Sequence, residues 1–380
     1  MCTQDRILVP FLIAIWFGLA VESVPLRAEH PQAASEKKAA QAATPEKMAG
    51  EAYKNVQVLK DIPASQFMPT MFFIAASLGV ACDHCHVTSD KGAWPMEKDD
   101  KKQKQVAREM IKMMNAINDQ NFAGKQEVTC ATCHQGRFDP ISLPPVPPLG
   151  AKPADEEAEG SKDVPSADKI LERYVEALGG SAALERVKTR ESSGTLTGES
   201  GRTYLLHQVQ RAPDRFVMTF SGQNVQRATG FDGESAWQKW GSQAFVQQDI
   251  EGVRIARSGE FWVDTDVQKR YPRRLVAGVE KVGDEAAYVV RAGGPGNVSE
   301  VLYFSRTTGL LLRRVVLTKT ALGRLPQETD FSDYREADGV KEPFTIQRRE
   351  INARFTVKLT EIKHNVPVED SVFRVPLGAQ

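Results

Sequence analysis

Apolar and polar positions follow two different rhythms along this chain. Up to about residue 140 the apolar side chains recur with a helical period. Phe67, Met71, Ile74 and Leu78 fall at i, i+4, i+7 and i+11, and Val106, Met110, Met113 and Ile117 repeat that spacing. Each set predicts one face of an amphipathic helix, with methionine in second place both times. Pro69 is tolerated only in a first turn, which puts the start of the first helix near Ser65 or Gln66. Asp99 and Asp100 suit the start of the second, where free N–H groups and the helix dipole favour carboxylates. After residue 165 the rhythm changes. Ser166 opens a helix to about Leu178, closed by Gly179-Gly180, and a short helix follows around Ala182–Val187. The runs at 204–209, 215–220, 287–291, 301–304, 310–317, 344–348 and 355–359 then read as strands, with turn signals at Asp232-Gly233, Thr308-Gly309 and Asp338-Gly339. Many hairpins and few helices predict a curved antiparallel sheet or half-barrel.

Two stretches fit neither rhythm, and they divide the chain. Arg6 precedes an apolar run from Ile7 to Val21, broken only by Pro10. That is the n-region and h-region of a signal peptide, short for a membrane-spanning helix. Ser23 and Ala28 offer cleavage points, and an uncleaved anchor is the alternative. Residues 29–45, without a large apolar side chain, read as a tether. Pro140, Pro144, Pro145, Pro147, Pro148 and Pro153, followed by Asp155, Glu156, Glu157 and Glu159, read as an extended acidic linker. The expected organisation is a signal segment at 1–28, a tether at 29–45, a mainly α domain at 46–140, a linker at 141–165, and an α+β domain at 166–380.

Lys+Arg and Asp+Glu both number 49 in 380 residues, so the formal net charge is zero, without the basic excess of a nucleic-acid-binding surface. Cysteine usage is more telling. Of five cysteines, Cys2 lies in the signal segment, and the other four form Cys82-Asp83-His84-Cys85-His86 and Cys130-Ala131-Thr132-Cys133-His134. Both are C-x-x-C-H, the attachment site of a c-type haem. Two cysteines three positions apart can form thioethers with the two vinyl groups of one porphyrin, and the next residue, histidine, can ligate the iron. A zinc site or two disulfides are the other uses of such pairs. Two covalently attached haem c groups are therefore expected, on Cys82/Cys85 with His86 and on Cys130/Cys133 with His134. Covalent haem attachment outside the cytoplasmic membrane agrees with the signal segment.

The repeated unit, a helix with methionine and then the motif, proposes Met71 and Met110 as sixth ligands of the two irons. A thioether opposite histidine raises the reduction potential, and a filled sixth site favours electron transfer. Core filling is the other use of methionine at helical spacing, and Met68, Met113 and Met114 are local competitors. His84 reads as a surface or propionate-side residue. The lysines between Lys98 and Lys104 read either as a docking patch for a redox partner or as a solvated helix start. Arg108 and Arg137 could neutralise propionates.

Residues from about Asn55 to Arg137 resemble the cytochrome c subunit of photosynthetic reaction centres. The segments that carry the likeness are Val58–Met68 with the Met71 helix after it, Ala107–Asn118 and Val128–His134. The resemblance implies methionine ligation from the preceding helix, pairing Met71 with His86 and Met110 with His134. Subunits of that family have four haems and an anchoring lipid-modified cysteine; this chain has one pair of motifs and no counterpart of that cysteine. The C-terminal half resembles the outer-membrane lipoprotein carrier and sorting protein superfamily, through Tyr303–Arg313, Asp333–Ile346 and Val366–Pro376. That likeness implies a half-barrel around an apolar cavity for lipid chains. His207 and His364, the two histidines of this half, read as structural.

Together these readings give the expectation of an exported, non-enzymatic dihaem cytochrome. It would serve periplasmic or membrane redox proteins, free in the periplasm or held by an uncleaved signal segment, with a C-terminal module for docking or for an apolar ligand. The alternatives are a lipid-binding protein with a redox-sensing haem domain, and a haem enzyme with one open iron site.

Overall fold

The computed structural model describes residues 46–87, 95–140, 164–222, 225–247, 267–294, 297–350 and 353–376, with isolated positions between 252 and 265. The expected signal segment and tether, and the expected linker up to residue 163, lie outside the described residues. Residues from Lys47 onward belong to one compact unit.

The helical part begins with a single turn, α1 (Ala49–Ala52), and continues with α2 (Ala64–Leu78), α3 (Lys102–Phe122) and the one-turn α4 (Cys130–His134). Helix α2 starts one residue earlier than the periodicity predicts, so Pro69 falls just past its first turn. The Thr70 hydroxyl donates back to the Gln66 carbonyl at 2.6 Å, one residue after the proline. Leu59, Phe73, Ile111 and Met114 form the core between these helices. α2 ends at Gly79 (φ 66°), where a Cβ would come within 2.1 Å of the Gly136 carbonyl oxygen. Only glycine allows the end of α2 to meet the end of the second motif so closely, and Gly136 N–H donates to Ser77 O there at 2.9 Å.

Helices α5 (Ala167–Leu178) and α6 (Ser181–Arg186) follow. Ser166 caps α5 by accepting from the Lys169 N–H. The chain then lays down 13 strands in one sheet, ordered β6-β5-β4-β3-β2-β1-β13-β12-β11-β10-β9-β8-β7. They are β1 (Thr189–Gly198), β2 (Thr203–Arg211), β3 (Arg215–Gly222), β4 (Val225–Phe231), β5 (Ala236–Trp240), β6 (Gln243–Gln247), β7 (Arg273–Val282), β8 (Glu285–Gly294), β9 (Asn297–Ser305), β10 (Leu311–Thr320), β11 (Gly323–Ala337), β12 (Val340–Glu350) and β13 (Ala353–His364), with the short α7 (Val267–Arg270) before β7. Every neighbour is antiparallel, and β1 pairs with β13 at the centre, for example Arg190 opposite His364. Two meanders thus join along their first and last strands and leave β6 and β7 as edges. Ile170, Leu171, Tyr174 and Leu178, one stripe of α5, bury against Val290, Leu302, Phe304, Leu311 and Val340 of the sheet.

The helical part and the sheet are packed together. The β10–β11 turn, Ala321-Leu322, reaches into the helical core, where Leu322 is 3% exposed beside Phe73, Ile111 and Met114. Ala321 N–H donates to the Thr70 hydroxyl at 3.3 Å, and Gln126 Nε2 donates to Ala321 O. Gly323 lies flat on Phe73: a Cβ there would sit 2.4 Å from the ring.

Candidate functional site

Each C-x-x-C-H motif is wound into one helical turn, which puts its two cysteines on one side. In the first, Cys82–His84 is a 3₁₀ turn, with Cys85 N–H and His86 N–H both donating to Cys82 O, at 3.3 and 3.0 Å. In the second, the turn is α4, entered through Thr129, whose N–H donates to Thr132 Oγ1 at 2.9 Å. No disulfide joins any of these four cysteines. Burial pushes the Cys85 and Cys130 thiols above their ordinary value. Among the described residues no three His, Cys, Asp or Glu side chains gather at one point, so the cysteine pairs do not converge into a tetrahedral zinc set.

The two histidines share one feature. His86 Nδ1 lies 3.2 Å from the Met96 carbonyl oxygen, and His134 Nδ1 lies 3.1 and 2.9 Å from the carbonyls of Arg137 and Phe138. A carbonyl only accepts, so Nδ1 carries the proton in both rings and Nε2 keeps its lone pair. That is the tautomer and anchoring of a metal-ligating imidazole. Burial, and next the Lys104 ammonium, hold the His86 imidazole below its usual range, with Met96 O opposing them. The ring is therefore neutral around pH 7.

Around the first motif, α3 and the chain before it form a network that the sequence did not disclose. Lys104 Nζ donates to Met96 O and Lys98 O at 2.8 Å each, and pairs with Asp99 at 3.0 Å. Lys101 Nζ donates to Asp83 O. Arg108 forms a two-pronged pair with Asp99, 2.9 Å at each contact, and reaches Asn55 O at 3.3 Å. Hydrogen bonds from Arg108 first, then Lys104, hold the Asp99 carboxyl well below the usual range. Asp99 therefore does not cap α3, whose N-cap is Lys101; it ties the motif loop to the helix. Lys101 and Lys104 act as struts inside the molecule, and Arg108 is committed to Asp99.

The predicted inward face of α3 needs correction. The residues that bury are Ile111, Met114 and Asn118, whereas Val106, Met110 and Met113 are 45%, 41% and 50% exposed. Asn118 explains the choice. Its amide donates to Val128 O at 2.7 Å and accepts from Val128 N–H at 2.9 Å, fixing the helix against the strand of chain entering the second motif. Met71 is half-buried against the helical core, where Phe67, Cys130 and Ala131 also pack. Met68 is 43% exposed.

These residues fit a c-type haem on three counts. The paired thiols lie on single turns, both imidazoles present Nε2 with Nδ1 anchored, and α3 carries valine and methionines on a face that a purely solvated helix would make polar. His84 is partly buried: its ring meets Phe138 edge-on at 4.6 Å, and its Nε2 is covered with no hydrogen-bond partner among the described residues. Phe138 thus touches the first motif while its carbonyl anchors the histidine of the second. An open cleft of about 650 Å³ lies beside the first motif, lined by Val80, Ala81, Asp83, His84 and the chain from Asp100 to Gln103.

In the sheet, His207 pairs with Glu191 on the surface at 2.8 Å. His364 is buried and meets Glu342 at 3.0 Å; Glu342 takes both of its oxygens to Arg190, at 2.8 and 2.9 Å. Burial alone would raise the Glu342 carboxyl, but Arg190 and His364 overcome it and hold the group below its ordinary value. Both histidines hydrogen-bond to glutamates, His207 to Glu191 and His364 to Glu342.

Residues 18–147 match the family model described as the photosynthetic reaction centre cytochrome C subunit. The reaction center cytochrome c subunit of Thermochromatium tepidum is 38% identical over 125 residues, a match covering 30% of this chain and 30% of that protein. The chain therefore aligns with less than a third of that relative's length. Among solved structures, the sheet-bearing part is similar to a LolA superfamily protein of Nitrosomonas europaea, at 14% identity and a TM-score of 0.38, covering 56% of this chain and 98% of the other. It is also similar to an outer-membrane lipoprotein-sorting protein domain of Vibrio parahaemolyticus, at 11% identity and a TM-score of 0.40, covering 55% and 97%.

Proposed function

We propose that this chain is an exported dihaem c-type cytochrome that passes electrons between periplasmic or membrane-bound redox proteins. Cys82 and Cys85 would hold one haem and Cys130 and Cys133 the other, with His86 and His134 as proximal ligands. Met71 and Met110 would complete the two irons, as the likeness to the reaction-centre cytochrome subunit implies. Each haem supplies, when bound, a reversible one-electron couple at its iron. The protein's own part is to anchor the porphyrins through thioethers, to hold each imidazole in one tautomer, and to keep other ligands off the iron. The sheet would serve as a docking surface or as the seat of an apolar ligand.

One observation carries this reading: both motif histidines turn Nδ1 onto backbone carbonyls and so present Nε2. A histidine with only a structural task has no reason to do this directly after a C-x-x-C pair, twice in one chain. The test is the visible spectrum of the reduced protein, matured in a host that attaches haem c, before and after carbon monoxide. An unchanged spectrum is expected, because two thioether-capped irons leave no open position. A shifted Soret band would mean an open iron and would replace electron carriage with ligand sensing or catalysis.

A further inference from the structure

The two histidine anchors are chemically unequal. His134 Nδ1–H has two carbonyls to itself, Arg137 O and Phe138 O, and no ammonium or guanidinium among the described residues donates to either. Among the described residues His86 Nδ1–H has one carbonyl, Met96 O, at the longer distance of 3.2 Å, and shares it with the Lys104 ammonium at 2.8 Å. Lys104 is held in place: its side chain is 12% exposed and pairs with Asp99, which Arg108 braces from the other side.

Two physical effects follow, and they have the same sign. An imidazole that donates strongly through Nδ1 gains basicity at Nε2 and favours the ferric iron it would ligate. A carbonyl already polarised by a cation is a poorer acceptor, so His86 is the weaker donor. The ammonium itself also disfavours the oxidised centre, which carries one more positive charge. From this geometry we infer that Lys104 is a positioning residue that sets the His86 haem at a higher reduction potential than the His134 haem. An electron shared between the two irons then rests on the first. The inference builds on the dihaem reading and adds an internal direction to it.

The test is a spectroelectrochemical titration of the holoprotein. Four forms are compared: the natural chain, Lys104→Gln, Lys104→Arg, and the chain with Cys82→Ala and Cys85→Ala, which keeps only the second haem. The natural protein is expected to titrate in two one-electron steps, and the single-haem variant to keep the lower one. Lys104→Gln should move the upper step down by about tenfold in its equilibrium constant, 59 mV for one electron, and leave the lower step in place. Lys104→Arg, which retains the charge and the donor, should restore it. The inference is overturned if the single-haem variant keeps the upper step, or if Lys104→Gln moves the lower step or neither. Fewer than two haems per natural chain would instead overturn the dihaem reading, and this inference with it. The ordering read from the single-haem variant stands as a test even if Lys104→Gln does not fold.

Discussion

Asn118 decides which side of α3 faces inward, and it does so with a polar group that hydrophobic periodicity ignores. Two apolar stripes overlap on this helix, one through Val106, Met110 and Met113 and one through Ile111 and Met114, and spacing alone cannot rank them. The paired hydrogen bonds to Val128 rank them, because an unpaired backbone N–H and C=O there would each cost free energy. Asn118→Ala should destabilise the chain by about 2 kcal/mol in chemical denaturation. Met114→Ala, at a position 5% exposed, should cost about 2–5 kcal/mol. Met110→Ala should cost well under that in the haem-free chain, yet open an iron to carbon monoxide in the holoprotein. A Met110→Ala holoprotein that still ignores carbon monoxide would remove Met110 as a ligand. The cysteines and histidines of the site were legible because spacing along the chain defines them. Met96, Asp99 and Lys104 were not, since a backbone carbonyl and two surface-type side chains acquire their roles only when the loop folds onto α3.

At the scale of elements, the strands with clean alternation or β-branched runs were legible, among them β2, β3, β8, β9, β10, β12 and β13. β11 was not: its sequence, from Gly323 through Pro326, Glu328 and Asp330 to Ala337, is polar on both faces. Beside Phe331 and Tyr334, which pack on the core, charged pairs help to hold it. Asp330 receives Arg313 at 2.6 and 2.9 Å and Arg349 at 2.5 Å, so the strand is also tied to β10 and β12 by charged cross-strand pairs. β1 was missed for a related reason: serines, threonines and glycines fill much of it, although Arg190 at its start anchors the buried Glu342. The β10–β11 turn was equally silent, because nothing in Ala321-Leu322-Gly323 announces that its partner is a helical core more than 200 residues earlier. Gly323→Ala should cost about 1–3 kcal/mol by forcing a methyl group into the Phe73 ring. A neutral outcome in thermal unfolding would mean that the turn does not bear on α2.

Across the whole molecule, the fusion of a haem-motif region to a large sheet becomes physical through that turn. Leu322→Ala should lose about 2–5 kcal/mol and uncouple the parts, so that haem-region absorbance and sheet circular dichroism melt at different temperatures where the natural chain melts once. The buried Arg190–Glu342–His364 group contributes to the acid sensitivity of the molecule. Glu342 is held below its ordinary value when folded, so its contribution is complete above the unfolded carboxylate value of 4.5 and is lost as pH falls through the lower folded value. Glu342→Gln should cost about 3 kcal/mol at neutral pH, where the Arg190 guanidinium loses its counter-charge. It should also flatten the fall in stability below about pH 4.5, which denaturation followed from pH 7 to 3 would reveal.

The most direct measurement is the haem stoichiometry of the protein after maturation in a cytochrome-c-competent host, taken as the intact mass of the denatured chain. Two haem masses that survive denaturation are expected on every chain, falling to one when either cysteine pair is replaced by alanine. A chain with no covalent haem, or one that keeps both haems after losing Cys130 and Cys133, would contradict the dihaem reading.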